Sequence, residues 1–389
     1  MSPSDTTPEP LPPQVPPAAV RVLRLSQYRS YAHLDLELDI RPVAFFGENG
    51  AGKTNLIEAV SFLSPGRGMR SSGADAIARR SEVGTAPQWA VYAEIDSFSG
   101  RHAIGVGAQG SARRETRIDG DPAPQTALAR LVPLIALTPH HDRLFAGPRA
   151  DRLKFFDRLV YAADPAHGEA ASAYEKIRVR RQRLLDEGHP DPTWIRALET
   201  DMAGHGVAMA AARLDALSRL QAEIDLRPDG HFPAADLGLD GAVEADLADG
   251  LSAAEAEDRF AQALEAGRVR DAASGRTLTR GPHRTDLIAR HRIKQQAAAD
   301  CSTGEQKALL LTLALAQARV LRGQIGLVPL LLLDEACAHL DTKRREGLAE
   351  DILATGSQAW LTGVEKSLFD AFDTQAQFFE VKDGAAHRV

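Results

Sequence analysis

Gly47-Glu48-Asn49-Gly50-Ala51-Gly52-Lys53-Thr54 fits the pattern G-x-x-x-x-G-K-[ST]. Its flanks suit it. Pro42 to Phe46 reads as a buried strand, and Asn55 to Leu63 has helical spacing with Leu56, Val60 and Leu63 on one face. Strand, glycine loop and helix together aim backbone N–H groups and a helix N-terminus at a polyphosphate. Gly47, Gly50 and Gly52 let the main chain approach phosphates closely. Lys53 is placed to reach the β- and γ-phosphates, and the Thr54 hydroxyl to bind Mg²⁺. A chance glycine-rich turn would not carry both flanks.

A second stretch answers the first. Leu330-Leu331-Leu332-Leu333-Asp334-Glu335 reads as a fully buried strand ending in two carboxylates. Asp334 would hold Mg²⁺, directly or through water, and Glu335 would polarise the attacking water. Alone, four leucines and two acids say little; with Lys53 they make a Walker pair for ATP. Ser302-Thr303-Gly304-Glu305-Gln306 opens an apolar helix, Ala308–Arg322. Ser302 suits an N-cap, and a capped helix N-terminus also suits a γ-phosphate.

The remaining sequence bounds the setting. The chain has 389 residues, 25% charged and 44% hydrophobic, enough for two domains and a substantial core. Its net charge of −7 hides an asymmetry: residues 222–258 hold eleven Asp/Glu and one Arg, which leaves the rest at +3. An acidic surface on one lobe does not forbid a basic one elsewhere. Cys301 and Cys337 have no C-x-x-C spacing and read as buried thiols of a reducing cytosol, neither disulfide nor zinc ligands. Residues 1–17 carry seven prolines and no Lys or Arg, which predicts a disordered tail and not a signal peptide. No apolar run approaches the ~20 residues of a membrane span.

In order, Val20–Leu25 reads as a strand. His33–Ile40 alternates, with Leu34, Leu36, Leu38 and Ile40 on one face, and reads as its antiparallel, half-buried neighbour. Pro65–Arg70 is a basic loop. Trp89–Ile95, Arg101–Val106 and Thr116–Asp119 are predicted strands; Leu131–Thr138 is an apolar run. His140 and His141 face different ways and fit a polar loop better than a metal site. From Arg149 the composition turns helical. Tyr174–Leu185 carries five basic residues between Lys176 and Arg183, among them Arg180 and Arg181. They form either a solvated helix face or a contact to DNA phosphates. Trp194–Leu220 is helical, and no heptad repeat persists. Ala359–Thr362 reads as a last core strand and Phe378–Val381 as an edge strand.

The Walker pair, the Ser302–Gln306 signature and the following Leu340-Asp341 resemble the ABC-type ATPase class. Within it the chain closely resembles the RecF family, relatives of SMC proteins, from about Val20 onward. The most specific stretches are Tyr28-Arg29-Ser30-Tyr31, Gly47–Ala59 with Thr54-Asn55 and Glu58-Ala59, and Gly281-Pro282-His283-Arg284 followed by Asp286. The resemblance implies an α/β fold, an ABC/SMC-like P-loop ATPase lobe with an inserted, mostly helical lobe. The ATPase lobe is expected over residues 18–150 and 271–389, the helical lobe over 151–270. The family implies a cytoplasmic, weak ATPase whose main role is DNA binding. Its ATP-bound homodimer would grip single- or double-stranded gapped DNA and help RecO and RecR load RecA; hydrolysis would reset it. Glu335, Lys53 and Asp334 would be catalytic, with Mg²⁺ at Thr54 and Asp334. Gly47, Glu48, Asn49, Gly50, Ala51, Gly52, Lys53, Thr54, Asn55, Ser302, Gly304 and Asp341 would hold ATP. In the ABC arrangement one chain's Walker pair and signature do not meet, so two chains would sandwich two ATP molecules.

The chain departs from the pattern in three places. The signature reads S-T-G-E-Q-K where the family more often has S-Q-G-Q-Q-R, which changes Thr303, Glu305 and Lys307. His140 and His141 stand where many ABC ATPases carry a Q-loop glutamine. Thr362-Gly363-Val364-Glu365 replaces the usual switch histidine. Slow hydrolysis is expected. Two rivals are weaker. A transporter ATPase subunit would place its signature much nearer Lys53 than Ser302 is, and an SMC-like tether would need a coiled coil.

Overall fold

Among the described residues, two six-stranded sheets face each other across the helix that follows the glycine loop. The computed structural model describes residues 17–66, 68–70, 74–81, 84–110, 114–188, 191–227 and 230–389. The predicted proline-rich tail, Pro17 apart, and Arg67 of the basic loop lie outside them.

In chain order the main elements are β1 Ala19–Tyr28, β2 Tyr31–Glu37, β3 Val43–Phe46, α1 Lys53–Ser61, β4 Gln88–Ser97, β5 Gly100–Gln109, β6 Glu115–Ile118 and β7 Leu134–Leu137. Helices α2 Arg149–Ala163, α3 Pro165–Asp186 and α4 Pro192–Asp225 follow. Then come β8 Ala235–Asp240, α5 Ala242–Ala248, α6 Ala253–Ser274, β9 Asp286–His291, α7 Thr303–Val320 and β10 Leu330–Leu333. The chain ends with α8 Thr342–Thr355, β11 Ala359–Gly363, β12 Gln377–Lys382 and β13 Ala385–Arg388.

The first sheet is antiparallel, ordered β2-β1-β4-β5-β6 with Asp121–Pro122 at its edge. The second is ordered β7-β10-β11-β3-β12-β13 and is parallel up to its final pair. Its strands are short apolar runs because both faces are covered. Leu331 and Leu333 enter one core with α7, α2 and α8, while Leu330 and Leu332 enter the other with α1 and the antiparallel sheet. Two buried glutamines tie the sheets together. Gln358 bonds both main-chain groups of Val20 and the Asp39 carbonyl. Gln377 accepts from Asp39 N–H and donates to the carbonyls of Asp39 and Arg41.

Several expectations shift. The alternating strand ends at Glu37, and Ile40 is 50% exposed, because the chain turns there toward β3. Phe378–Val381 lies inside the sheet, since β13 pairs on its outer side. Leu131 closes a short helix, Leu128–Leu131, ahead of β7. The acidic segment carries the strand β8, paired with β9. The run Thr303–Ile325 is long and apolar enough to cross a membrane by length and composition, yet it is mostly buried as the central core helix. Cys301 and Cys337 are both buried and free, and burial pushes the Cys337 thiol up to about 12.

Helices α3 to α6 share a separate small core around Met202, Val207, Phe260 and Leu264. At its edge Arg181 is 0% exposed. It donates to Glu199 at 2.9 Å, Asp271 at 2.8 Å and the Leu264 carbonyl at 2.7 Å. That overturns any DNA contact for Arg181; among the paired basic residues only Arg180 is exposed, lying over the Trp194 ring at 5.1 Å. Removing one member of a buried ion cluster strands the others, at about 3–5 kcal/mol. Arg181→Ala should therefore lower stability by roughly that amount, read from urea unfolding, and a loss below ~1 kcal/mol would contradict the assignment.

The Gly281–Arg284 motif joins this bundle to the sheets. Arg213 bridges Asp157, Glu244 and the Pro282 carbonyl. His283 Nε2–H donates to the Thr277 carbonyl at 3.3 Å, so Nδ1 accepts from the Tyr174 hydroxyl at 2.7 Å. Burial lowers this imidazole to about 4. The unfolded histidine titrates near 6.5, so acid protonates the unfolded chain first. Stability from this group is complete above pH ~6.5 and declines as pH falls toward 4. We expect His283→Gln to flatten the acid slope of the urea midpoint between about pH 7 and 4.5, by on the order of 1–2 kcal/mol.

Candidate nucleotide-binding site

Three adjacent parallel strands end at one place: β10 in Asp334, β11 in Thr362 and Gly363, and β3 in the glycine loop. Ligand crevices in α/β sheets lie at such carboxyl ends. The loop's shape needs its glycines. A Cβ on Gly47 would sit 2.3 Å from the Val381 carbonyl oxygen, and one on Gly52 2.7 Å from Ser30 Oγ. Lys53 Nζ lies within the loop, donating to the carbonyls of Gly47 at 2.6 Å and Glu48 at 2.8 Å. Burial lowers the Lys53 ammonium, while the Glu335 and Asp334 carboxylates pull it back up. Asn49 and Gly50 are exposed on the outer rim, and the Ala51 N–H closes the turn on the Glu48 carbonyl.

Tyr28–Tyr31 is the brace of this loop. Tyr31 Oη donates to the Gly52 carbonyl at 3.1 Å, and Asn55 Nδ2 to Ser30 Oγ at 3.0 Å. Arg29 forms a two-pronged pair with Glu58, which is 0% exposed on α1. Arg70 reaches Asn55 Oδ1 and Glu58 from the basic loop. Sequence reading marked Glu58 only as part of the family-specific stretch; its neighbours on that side of α1, Thr54, Asn55 and Ser61, are polar and give no local sign of burial.

Asp334 is 5% exposed. Its Oδ1 accepts from Thr54 Oγ1 at 3.1 Å and Thr362 Oγ1 at 2.7 Å. Burial pushes the carboxyl up, and the two hydroxyls partly restore it. Thr362 Oγ1 also accepts the Glu335 N–H at 2.9 Å. Glu335 itself has φ 53°, left-handed for a residue with a Cβ, which costs roughly 1–3 kcal/mol. Thr362 thus touches both acids. Sequence reading registered it as the end of a core strand and as a missing histidine.

The residues fit Mg²⁺ and ATP. Thr54 and Asp334 offer hard oxygens within hydrogen-bond distance of each other. Among the described residues no cluster of three or more His, Cys, Asp or Glu forms a metal cage. Mg²⁺ is characteristically held by one or two protein oxygens plus phosphate and water.

Among the described residues no hydrogen bond joins Ser302, Gly304 or Asp341 to Lys53, Thr54 or Asp334. Ser302 is exposed and caps α7 in a reciprocal box with Glu305, whose carboxyl is drawn down to about 2 by Lys294 and by Ser302. Gly304 has open space where a Cβ would stand. Asp341 caps α8 through the Arg344 N–H at 2.8 Å. Among the described residues, the side-chain hydrogen bonds of Ser302 and Asp341 reach none of Gly47–Asn55. His141 Nδ1 accepts from the Thr138 N–H at 3.1 Å, and burial lowers the ring to about 4.

A family model described as the RecF/RecN/SMC N terminal domain matches residues 19–387. A protein of Rhizobium meliloti (strain 1021), named DNA replication and repair protein RecF, is 47% identical over 367 residues, 93% of this chain and 96% of its own. The chain belongs to the RecF family. The RecF of Caulobacter sp. (strain K31) is 49% identical over 368 residues, covering 91% of this chain and 94% of that one. Among solved structures, that of the recombination mediator protein RecF with ATP in the RecFOR pathway gives a TM-score of 0.82 at 19% identity, covering 96% and 98% of the two chains. An Smc head domain from Pyrococcus furiosus, bound to the C-terminal domain of ScpA, gives 0.55 at 14%, covering 96% of each. These two likenesses show the fold, that of an SMC-like head.

Proposed function

We propose that this RecF-family DNA replication and repair protein is an ATP-driven DNA clamp made of two copies of itself. The supporting observation is the meeting of Lys53, Thr54, Asp334 and Glu335 at three neighbouring strand ends. When bound, Mg²⁺-ATP supplies the phosphoanhydride that is cleaved. Lys53 neutralises the β- and γ-phosphates, and Thr54 and Asp334 hold the metal. Glu335 takes the proton of the attacking water. Ser302 and Gly304 of the partner copy close the site over the γ-phosphate through the N-terminus of α7. Asp341 stands at the same interface.

The closed dimer grips gapped DNA and, with RecO and RecR, helps RecA load there; slow hydrolysis releases it. The protein works in the cytoplasm. Residues 18–150 and 271–389 form the ATPase lobe, and 151–270 the helical lobe that DNA meets. A transporter role is not favoured by the family.

Sedimentation and ATP turnover with and without duplex and gapped DNA test this reading. A monomer–dimer shift that needs ATP, and turnover that responds to DNA, are expected. DNA affinity should fall steeply with salt, because phosphate contacts release counterions. A protein that stays monomeric with ATP, or whose turnover ignores DNA, would not be this clamp.

A further inference from the structure

Both polar groups of the Glu335 peptide are held, and from different elements. Thr362 at the end of β11 accepts its N–H. Lys307 of α7 donates to its carbonyl at 2.7 Å, beside the local turn bond from the Ala338 N–H at 3.1 Å. Lys307 is 7% exposed, and its nearest ion-pair partner, Asp142, stands 3.8 Å away. A buried ammonium directed at a main-chain carbonyl, with a carboxylate only at arm's length, is an expensive way to fill space. A methionine would fill it without the charge. What the lysine does supply is a fixed point for a peptide held at φ 53°.

Lys307 also lies five residues beyond Ser302, on the helix that Ser302 caps. The helix end that faces outward and the glutamate at the strand end are therefore joined by one side chain. Thr362 cannot be tested cleanly for this role because it also holds Asp334. Lys307 touches the Glu335 carbonyl and not the metal-side acid.

We propose that Lys307 is a positioning residue for Glu335. It fixes the left-handed peptide so that the carboxylate stands ready for the water. It also ties that setting to the signature helix of the same chain, so that engagement of Ser302 by the partner copy's nucleotide is felt at this chain's own Glu335. The inference rests on the reading of Glu335 as the water-activating base.

The test is steady-state ATP turnover of the full chain with duplex DNA, alongside ATP-dependent sedimentation. Lys307→Met should lower kcat roughly 10- to 100-fold, since a small misplacement of a catalytic group has that effect. KM for ATP should stay within about twofold and the dimer should still form. Lys307→Arg should restore most of kcat, because a donor again reaches the carbonyl. The double variant Lys307→Met/Glu335→Gln should be no slower than Glu335→Gln alone, as expected for residues acting as a unit. Should Lys307→Met not fold, Lys307→Gln keeps a polar end but falls short of the carbonyl, and should show the same kcat loss. Wild-type kcat in folded Lys307→Met or Lys307→Gln, with Glu335→Gln slow, overturns the positioning role and leaves the hydrolysis reading standing. Wild-type turnover in Glu335→Gln overturns the hydrolysis reading itself. Slower turnover in the double variant than in Glu335→Gln would assign Lys307 a separate, structural effect.

Discussion

Lys53→Ala should abolish ATP-dependent dimerisation while leaving the chain folded. The Lys53 ammonium is enclosed by the loop it serves, with Nζ on the carbonyls of Gly47 and Glu48. Burial lowers its pKa, and the carboxylates of Glu335 and Asp334 partly oppose that shift. No other cation is directed into the loop among the hydrogen bonds of the described residues. Removing it costs two charge-assisted contacts to the β- and γ-phosphates, about 1.5–3 kcal/mol each. Affinity for ATP should fall by a hundredfold or more, on the order of 3 kcal/mol. The loop should persist, because Tyr31 and Ser30 brace it independently of the lysine. Sedimentation velocity with and without ATP, beside a thermal melt, reads both parts. An ATP-dependent dimer of Lys53→Ala would remove Lys53 from its role.

The second large effect concerns the shared site. Ser302→Arg should still bind ATP, since Ser302 has no hydrogen bond to the loop of its own chain, but it should fail to dimerise. A bulky cation would stand where the N-terminus of α7 must meet the partner copy's γ-phosphate. The fold should survive: losing the cap costs α7 about 1 kcal/mol, and Glu305 keeps its pair with Lys294. Mixed with Lys53→Ala, the two defects can fall in one site of a heterodimer and leave the other intact. The mixture should therefore regain ATP-dependent association and, at most, roughly half the turnover per dimer. If both sites must fire together, association alone returns. Folded mutants that recover neither would end the shared-site model. A Ser302→Arg protein that dimerises and hydrolyses normally would reduce Ser302 to a helix cap.

The sequence alone determined the local pieces of this protein. The glycine loop with its strand and helix, and the leucine strand with its two acids, are legible because strand period, glycine spacing and apolar runs are local properties. The family resemblance added the expectation of a signature and of a lobed architecture. Tertiary structure decided the rest, because the deciding neighbours are distant in the chain. Thr54 and Asp334 meet across 280 positions. Thr362 became the residue touching both acids because β11 inserts between β3 and β10, a strand order that no local pattern encodes. Arg180 and Arg181 look interchangeable in sequence, yet one residue of helical rotation, about 100°, puts one in solvent and the other in a buried ion cluster. Which side of a basic helix faces water depends on what packs against it, and here that is Glu199 of α4 and Asp271 of α6.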